Sequence, residues 1–126
     1  MRILVIDDEE MIRALARKIL QRDGHEVLLA DSGQSGLAIV SREHESLGLV
    51  LLDFNMHELS GVETLRRIRQ VSPTMPCIIS SGQIADQNDL SDDLTEHLRF
   101  LQKPYRANTL SEMVRSIAAG RQPTTA

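Results

Sequence analysis

The chain has 126 residues, enough for one compact domain built around a single core. Apolar residues make up 41% and charged residues 25%, proportions that exclude a disordered, collagenous or disulfide-rich chain. Fourteen basic against eighteen acidic side chains leave a formal charge of −4, which excludes bulk attraction to nucleic acid or an anionic membrane surface.

Four unalternated apolar runs predict strands covered on both faces: ILVI at 3–6, VLLA at 27–30, LVLL at 49–52 and CII at 77–79, with FL at 100–101 as a weaker fifth. After the first run, Ile12, Leu15, Ala16, Ile19 and Leu20 follow helical spacing, and Asp23-Gly24 ends that helix. Asp31 with Gln34 is the expected cap of the second helix, and Ser60 with Glu63 repeats the device for the third, which Ser72-Pro73 stops. The fourth helix, between Gly82 and Leu98, has the weakest pattern: Leu90 and Leu94 share a stripe amid Asp86, Asp89, Asp92, Asp93 and Glu96. Lys103-Pro104 separates the fifth strand from a last helix carrying Leu110, Met113, Val114, Ile117 and Ala118. Residues 1–119 are expected to form the domain, and the GRQPTTA segment at 120–126 a frayed end or the start of a linker.

Strict alternation of strand and helix predicts an α/β fold, a (βα)5 flavodoxin-like doubly wound parallel sheet with strand order 2-1-3-4-5. Cys77 has no internal disulfide partner and sits in an apolar run, as a reduced thiol in the core does. No apolar stretch approaches the ~18 residues of a membrane span, and MRILVIDDEE turns acidic too early for a signal peptide. The expected location is the cytoplasm, with no membrane partner.

Chemistry gathers at the C-terminal ends of the predicted strands: Asp7 and Asp8 after the first, Asp53 after the third, Ser81 after the fourth and Lys103 after the fifth. In an open parallel sheet these ends line one crevice. Three carboxylates there repel one another unless a cation offsets them. Mg²⁺ suits the need, since it is held by a few carboxylates and keeps waters and phosphate oxygens as its remaining ligands; Mn²⁺ is the alternative. Asp53 is the candidate nucleophile for an acyl phosphate, Lys103 a charge partner for the transferring oxygens, and Ser81 a hydrogen-bond donor to the phosphoryl group. Taken singly, each feature has a plainer explanation. Asp7 to Glu10 suit the positive end of a helix, Ser81-Gly82 suits a turn, and Lys103-Pro104 suits a helix stop. Their coincidence at matching strand ends favours a shared site.

These motifs resemble the bacterial response-regulator receiver family from residue 3 to 104: ILVIDDEE its acidic opening, LVLLDFNMHELSG its phosphoryl-accepting segment, CIISSG its Ser/Thr position and FLQKP its lysine and switch aromatic, Phe100. The resemblance implies Mg²⁺ held by Asp7, Asp8, Asp53 and the backbone carbonyl of Asn55. It further implies phosphoryl transfer from a sensor histidine kinase or histidine phosphotransfer protein to Asp53, and autodephosphorylation by water. Movement of Ser81 and Phe100 would then switch the surface of the fourth helix, fifth strand and last helix for an output partner or a removed effector domain. Arg13, Arg17, Lys18 and Arg22 on the first helix are expected to help orient the phosphodonor. One departure is His57, where the family usually has proline; a tolerated loop substitution is the simpler reading.

An aspartyl-phosphate hydrolase is a rival of another class, but its Asp-x-Asp motif is missing after the first strand, where Asp7 and Asp8 are adjacent. A flavin binder of related topology is disfavoured by one tyrosine, two phenylalanines and the lack of a Ser/Thr/Gly-rich phosphate loop there. A receiver that only binds partners is disfavoured by the intact acidic set and Lys103.

Overall fold

A computed structural model describes residues 1–56, 58–82, 94 and 96–121, with the backbone alone for residue 121. The elements are β1 (Arg2–Ile6), α1 (Glu10–Arg22), β2 (Glu26–Ala30), α2 (Gly33–Glu43), β3 (Leu49–Asp53), α3 (Gly61–Val71), β4 (Cys77–Ser81), β5 (Leu98–Gln102) and α4 (Ala107–Arg121). Gly120 and Arg121 of the GRQPTTA segment are therefore helical. The expected fourth helix, His57 and residues 122–126 lie outside the described residues, apart from Leu94, Glu96 and His97.

All five strands are parallel, in the order β2-β1-β3-β4-β5, as the alternation predicts. The central strands read as continuous apolar runs because both faces are covered. On one face Leu4, Ile6, Val50, Leu52 and Ile79 pack with Val40 of α2 and with Leu65 and Ile68 of α3; Leu94 is buried in the same cluster. On the other, Ile3, Val5, Leu51 and Ile78 meet Ala16, Ile19 and Leu20 of α1 and Leu110, Val114 and Ile117 of α4. Each fully buried Ile or Leu contributes roughly 1.5–3 kcal/mol, so these two layers hold the sheet. β5 is an edge strand with Arg99 and Gln102 exposed, which is why its sequence signal is the weakest of the five. Among the described residues no helix is long and apolar enough to cross a membrane.

Three local expectations are revised. Leu15, counted in the α1 stripe, is 42% exposed, while Ala16, Ile19 and Leu20 face the core. The α2 cap falls one residue later than expected: Ser32, not Asp31, accepts from the Ser35 amide at 3.1 Å, and Ser35 returns a bond to the Ser32 amide. Asp31 accepts from the Ser35 hydroxyl at 3.3 Å instead. At α3 the Ser60 hydroxyl accepts from the Glu63 amide at 3.1 Å, but the Glu63 carboxylate turns outward to Arg66 and Arg67.

α1 ends as predicted, with Gly24 in the left-handed region at φ 92 and its amide donating to the Gln21 carbonyl. Gly61 starts α3 against the loop that follows β3. A Cβ there would lie 2.6 Å from the Phe54 Cα and 2.9 Å from its carbonyl oxygen, so glycine permits the close approach that fixes this loop.

Candidate functional site

Asp7 follows β1 directly, and its amide donates to the Ala30 carbonyl at 3.1 Å, which carries the β1–β2 pairing one residue past the strand. Asp53 is the last residue of β3, paired in register with Ser80 of β4. The parallel sheet thus delivers both carboxylates to the same rim, and both are buried, at 2% and 1% exposure. Asp8, on the β1–α1 loop, is half-buried. Lys103 follows β5; its amide donates to the Ser81 carbonyl at 2.7 Å, and the next peptide, Lys103-Pro104, is cis.

With its backbone tied to β4, the lysine reaches across the rim. Its Nζ lies 3.0 Å from Asp7 Oδ2, 3.2 Å from Asp53 Oδ1 and 3.9 Å from Glu9 Oε1. One carboxylate oxygen from each of Asp7, Asp8, Glu9 and Asp53 falls within 4.8 Å of the others. Two backbone amides help to hold the buried pair: Glu9 donates to Asp7 Oδ1 at 2.9 Å, and Asn55 to Asp53 Oδ1 at 3.1 Å.

Burial pushes the Asp53 carboxyl above its ordinary range, and the Asp7 charge adds to the effect; the Asn55 amide and Lys103 oppose it. For Lys103, burial works against the charged form, yet its hydrogen bond to Asp7 and the charges of Asp53 and Asp7 prevail, and its pKa is raised. The Tyr105 phenol is also pushed up, by burial and then by the same two carboxylates. Its hydroxyl is buried and has no hydrogen-bond partner among the described residues.

The structure therefore brings Asp7, Asp8, Asp53 and Lys103 together. Ser81, 6% exposed, ends β4 on the strand beside Asp53. Asn55 is exposed in the loop after β3 and offers its amide to Asp53. Phe100 pairs in register with Ile79 and packs, half-buried, against the layer formed by α2 and α3. Sequence reasoning missed Glu9 and Tyr105 as neighbours of the site. Glu9 was hidden in an acidic run that suits a helix start, and the signal for Tyr105 was its place two residues beyond Lys103. Two of the α1 cations also have structural work: Arg13 donates to the Asp7 carbonyl at 2.7 Å, and Arg22 to the Ser111 hydroxyl at 3.1 Å.

Openings flank the carboxylates on both sides. A cleft of about 340 Å³ is lined by Asp8, Asp31, Ser32, Gly33, Met56, Glu58 and Leu59. A more apolar groove of about 220 Å³ is lined by Glu9, Ile12, Leu15, Lys103, Pro104 and Tyr105.

A family model for the response regulator receiver domain matches residues 3–115. This chain belongs to the response-regulator receiver family. The receiver domain is similar in structure to a response regulator receiver domain protein from Clostridium thermocellum, with a TM-score of 0.86, 34% identity and 96% of each chain covered. In sequence it is similar to the uncharacterized transcriptional regulatory protein YrkP of Bacillus subtilis, 34% identical over 113 residues, covering 90% of this chain and 47% of that protein. It is also similar to the autoinducer 1 sensor kinase/phosphatase LuxN of Vibrio campbellii, 28% identical over 113 residues, covering 89% of this chain and 13% of LuxN. The chain thus spans half or less of the length of these two relatives. As a receiver domain it is a two-component signalling module, of a family that pairs with histidine kinases or phosphotransfer proteins and generally depends on Mg²⁺. The donor set fits such a metal: four carboxylates and no thiol or imidazole, the hard oxygen ligands that Mg²⁺ and Mn²⁺ take.

Proposed function

We propose that this receiver domain accepts a phosphoryl group on Asp53 from the phosphohistidine of a sensor histidine kinase or histidine phosphotransfer protein. The observation that carries the reading is the Lys103 ammonium shared between two buried carboxylates, Asp7 and Asp53, within a four-carboxylate set. Such an arrangement opposes stability at the apolar edge of a sheet and suits a site that takes up cations and phosphoryl oxygens. Asp7, Asp8, Asp53 and the Asn55 carbonyl would hold Mg²⁺, with Mn²⁺ as the alternative. When bound, the metal supplies positive charge to the transferring oxygens.

The residues have distinct tasks. Lys103 and the Asn55 amide both engage Asp53 Oδ1, so Oδ2 is the attacking oxygen. An O–P bond forms as the N–P bond of the donor breaks, and the leaving imidazole keeps the electron pair. Lys103 then turns from carboxylate to phosphoryl oxygen, and the Ser81 hydroxyl donates to the same group. Phe100 moves inward in concert, biasing an existing equilibrium between two surfaces of the region from β4 to α4. Water attack on the same phosphorus returns the domain to its resting state.

Donor docking is assigned to the groove of Ile12, Leu15, Pro104 and Tyr105, extended by Met11, which is 84% exposed. Arg17 and Lys18, both exposed on α1, are proposed to help orient the donor, whereas Arg13 is engaged in holding the β1–α1 loop. The proposed domain, set at residues 1–119 by the sequence, extends to the end of α4 at Arg121, and it acts in the cytoplasm on an unidentified output partner or an effector domain.

Beryllofluoride, a phosphoryl mimic, tests the reading. In the presence of Mg²⁺ it is expected to bind the parent and not an Asp53→Ala variant. Equal binding to both would place the acceptor elsewhere.

A further inference from the structure

Glu9 holds a position that neither capping nor core packing explains. It is the N-cap residue of α1, yet its side chain makes no capping hydrogen bond, and it is 64% exposed at the mouth of the pocket. Its carboxylate is the third around the Lys103 ammonium, 3.9 Å away, behind Asp7 at 3.0 Å and Asp53 at 3.2 Å. The lysine backbone is tied to Ser81, so only the ammonium end of the chain is able to swing.

Lys103 shares its two nearest carboxylates with any dication that the pocket takes. Once those oxygens are engaged, the ammonium meets like charge on the inner side, and repulsion drives it outward. Glu9 is the carboxylate on that outer side, lining the same groove as Lys103. Resting on the reading of the pocket given above, we propose that Glu9 is a positioning residue. It receives the Lys103 ammonium when a divalent cation takes over Asp7 and Asp53. The lysine is thereby kept at the pocket mouth, where an incoming phosphoryl oxygen arrives, instead of turning to solvent. Glu9 acts on the metal through Lys103 and not as a ligand.

A double-mutant cycle with Mg²⁺ alone as probe, read by calorimetry at low ionic strength, separates these roles. Glu9→Gln is expected to weaken Mg²⁺ binding about threefold when Lys103 is present, the scale of an exposed ion pair. In a Lys103→Met background the same change is expected to have almost no effect, and Glu9→Asp is expected to recover part of the loss. Equal weakening in both backgrounds would make Glu9 a ligand or an ordinary surface charge and overturn the proposal, as would no weakening in either. A second measurement needs no lysine variant: the ¹⁵N signal of the Lys103 ammonium should stay protected from solvent exchange in the Mg²⁺-loaded parent and lose protection in Glu9→Gln. Protection unchanged by the substitution also overturns it. Failure of the parent itself to bind Mg²⁺ would instead bring down the reading of the pocket, and the role of Glu9 with it.

Discussion

At one end of the sheet, Arg2 pairs with Glu26 and Glu43 and donates to the Ser46 hydroxyl, while Arg69 donates to the carbonyls of Met75, Glu96 and His97. At the other end, one lysine is divided among three carboxylates, two of them buried. The first arrangement gives each cation more than one acceptor and ties strand starts to helices. The second leaves acidic charge in excess where water is scarce. Polar groups at the N-terminal rim thus serve the fold, whereas those at the C-terminal rim are kept at its expense.

Substitutions at the two rims are therefore expected to differ in sign as well as size. The largest contrast comes from Asp53→Asn, which is expected to abolish acceptance of a phosphoryl group, read as loss of the corresponding mass gain after incubation with acetyl phosphate. The same change should stabilise the metal-free protein by about 1 kcal/mol, because a neutral amide replaces a desolvated carboxylate while Lys103 keeps Asp7. The pH dependence follows from the raised Asp53 pKa. In the acidic range the unfolded carboxyl releases its proton first, so this group lowers stability as pH rises from its ordinary pKa to its raised folded value. Urea titrations across that window should show the stability of Asp53→Asn growing relative to the parent as pH rises; parallel curves would remove the electrostatic cost assigned to this rim.

Lys103→Met is next, expected to cost about 3 kcal/mol at neutral pH by leaving Asp7 and Asp53 without their cation. Saturating Mg²⁺ should recover most of that loss, since a ligand at a hundred times its Kd stabilises by about 2.7 kcal/mol. Thermal unfolding with and without the metal checks this, and a metal-independent loss would mean that Lys103 is a simple structural tie. Arg69→Ala should cost about 2 kcal/mol by depriving carbonyls at two strand starts of their donor, with Mg²⁺ affinity unchanged. A shift in that affinity would break the separation of the two rims. Smallest is Arg2→Ala, a slight loss for a partly exposed network that should vanish in high salt, read by urea titration at low and high ionic strength.

Much of this organisation is legible in the sequence because the parallel sheet makes it so. Apolar runs such as LVLL mark strands covered on both faces, and the polar residue that ends each run falls on the rim by construction, which brings Asp7, Asp53 and Lys103 to one place. What depends on a single dihedral or on side-chain reach is not legible. Asp31 and Ser32 are both good caps, and in the structure Ser32, with extended backbone, takes that position. Arg13 and Arg22 are expected from the sequence to help orient a donor, but the length of arginine carries them to Asp7 and Ser111. Glu9 reads as part of a helix start, and its proximity to Lys103 depends on how the loop after β5 lies across α1.

The bond between Lys103 and Asp7 joins residues 96 positions apart. Lys103 is held at the rim by the pairing of β5 with β4, so this contact depends on β1, β3, β4 and β5 being aligned in one sheet. Without the fifth strand, β1 and β3 would still bring Asp7 and Asp53 to one rim, but the lysine that balances them would be missing. The charge balance of the pocket is thereby tied to completion of the sheet.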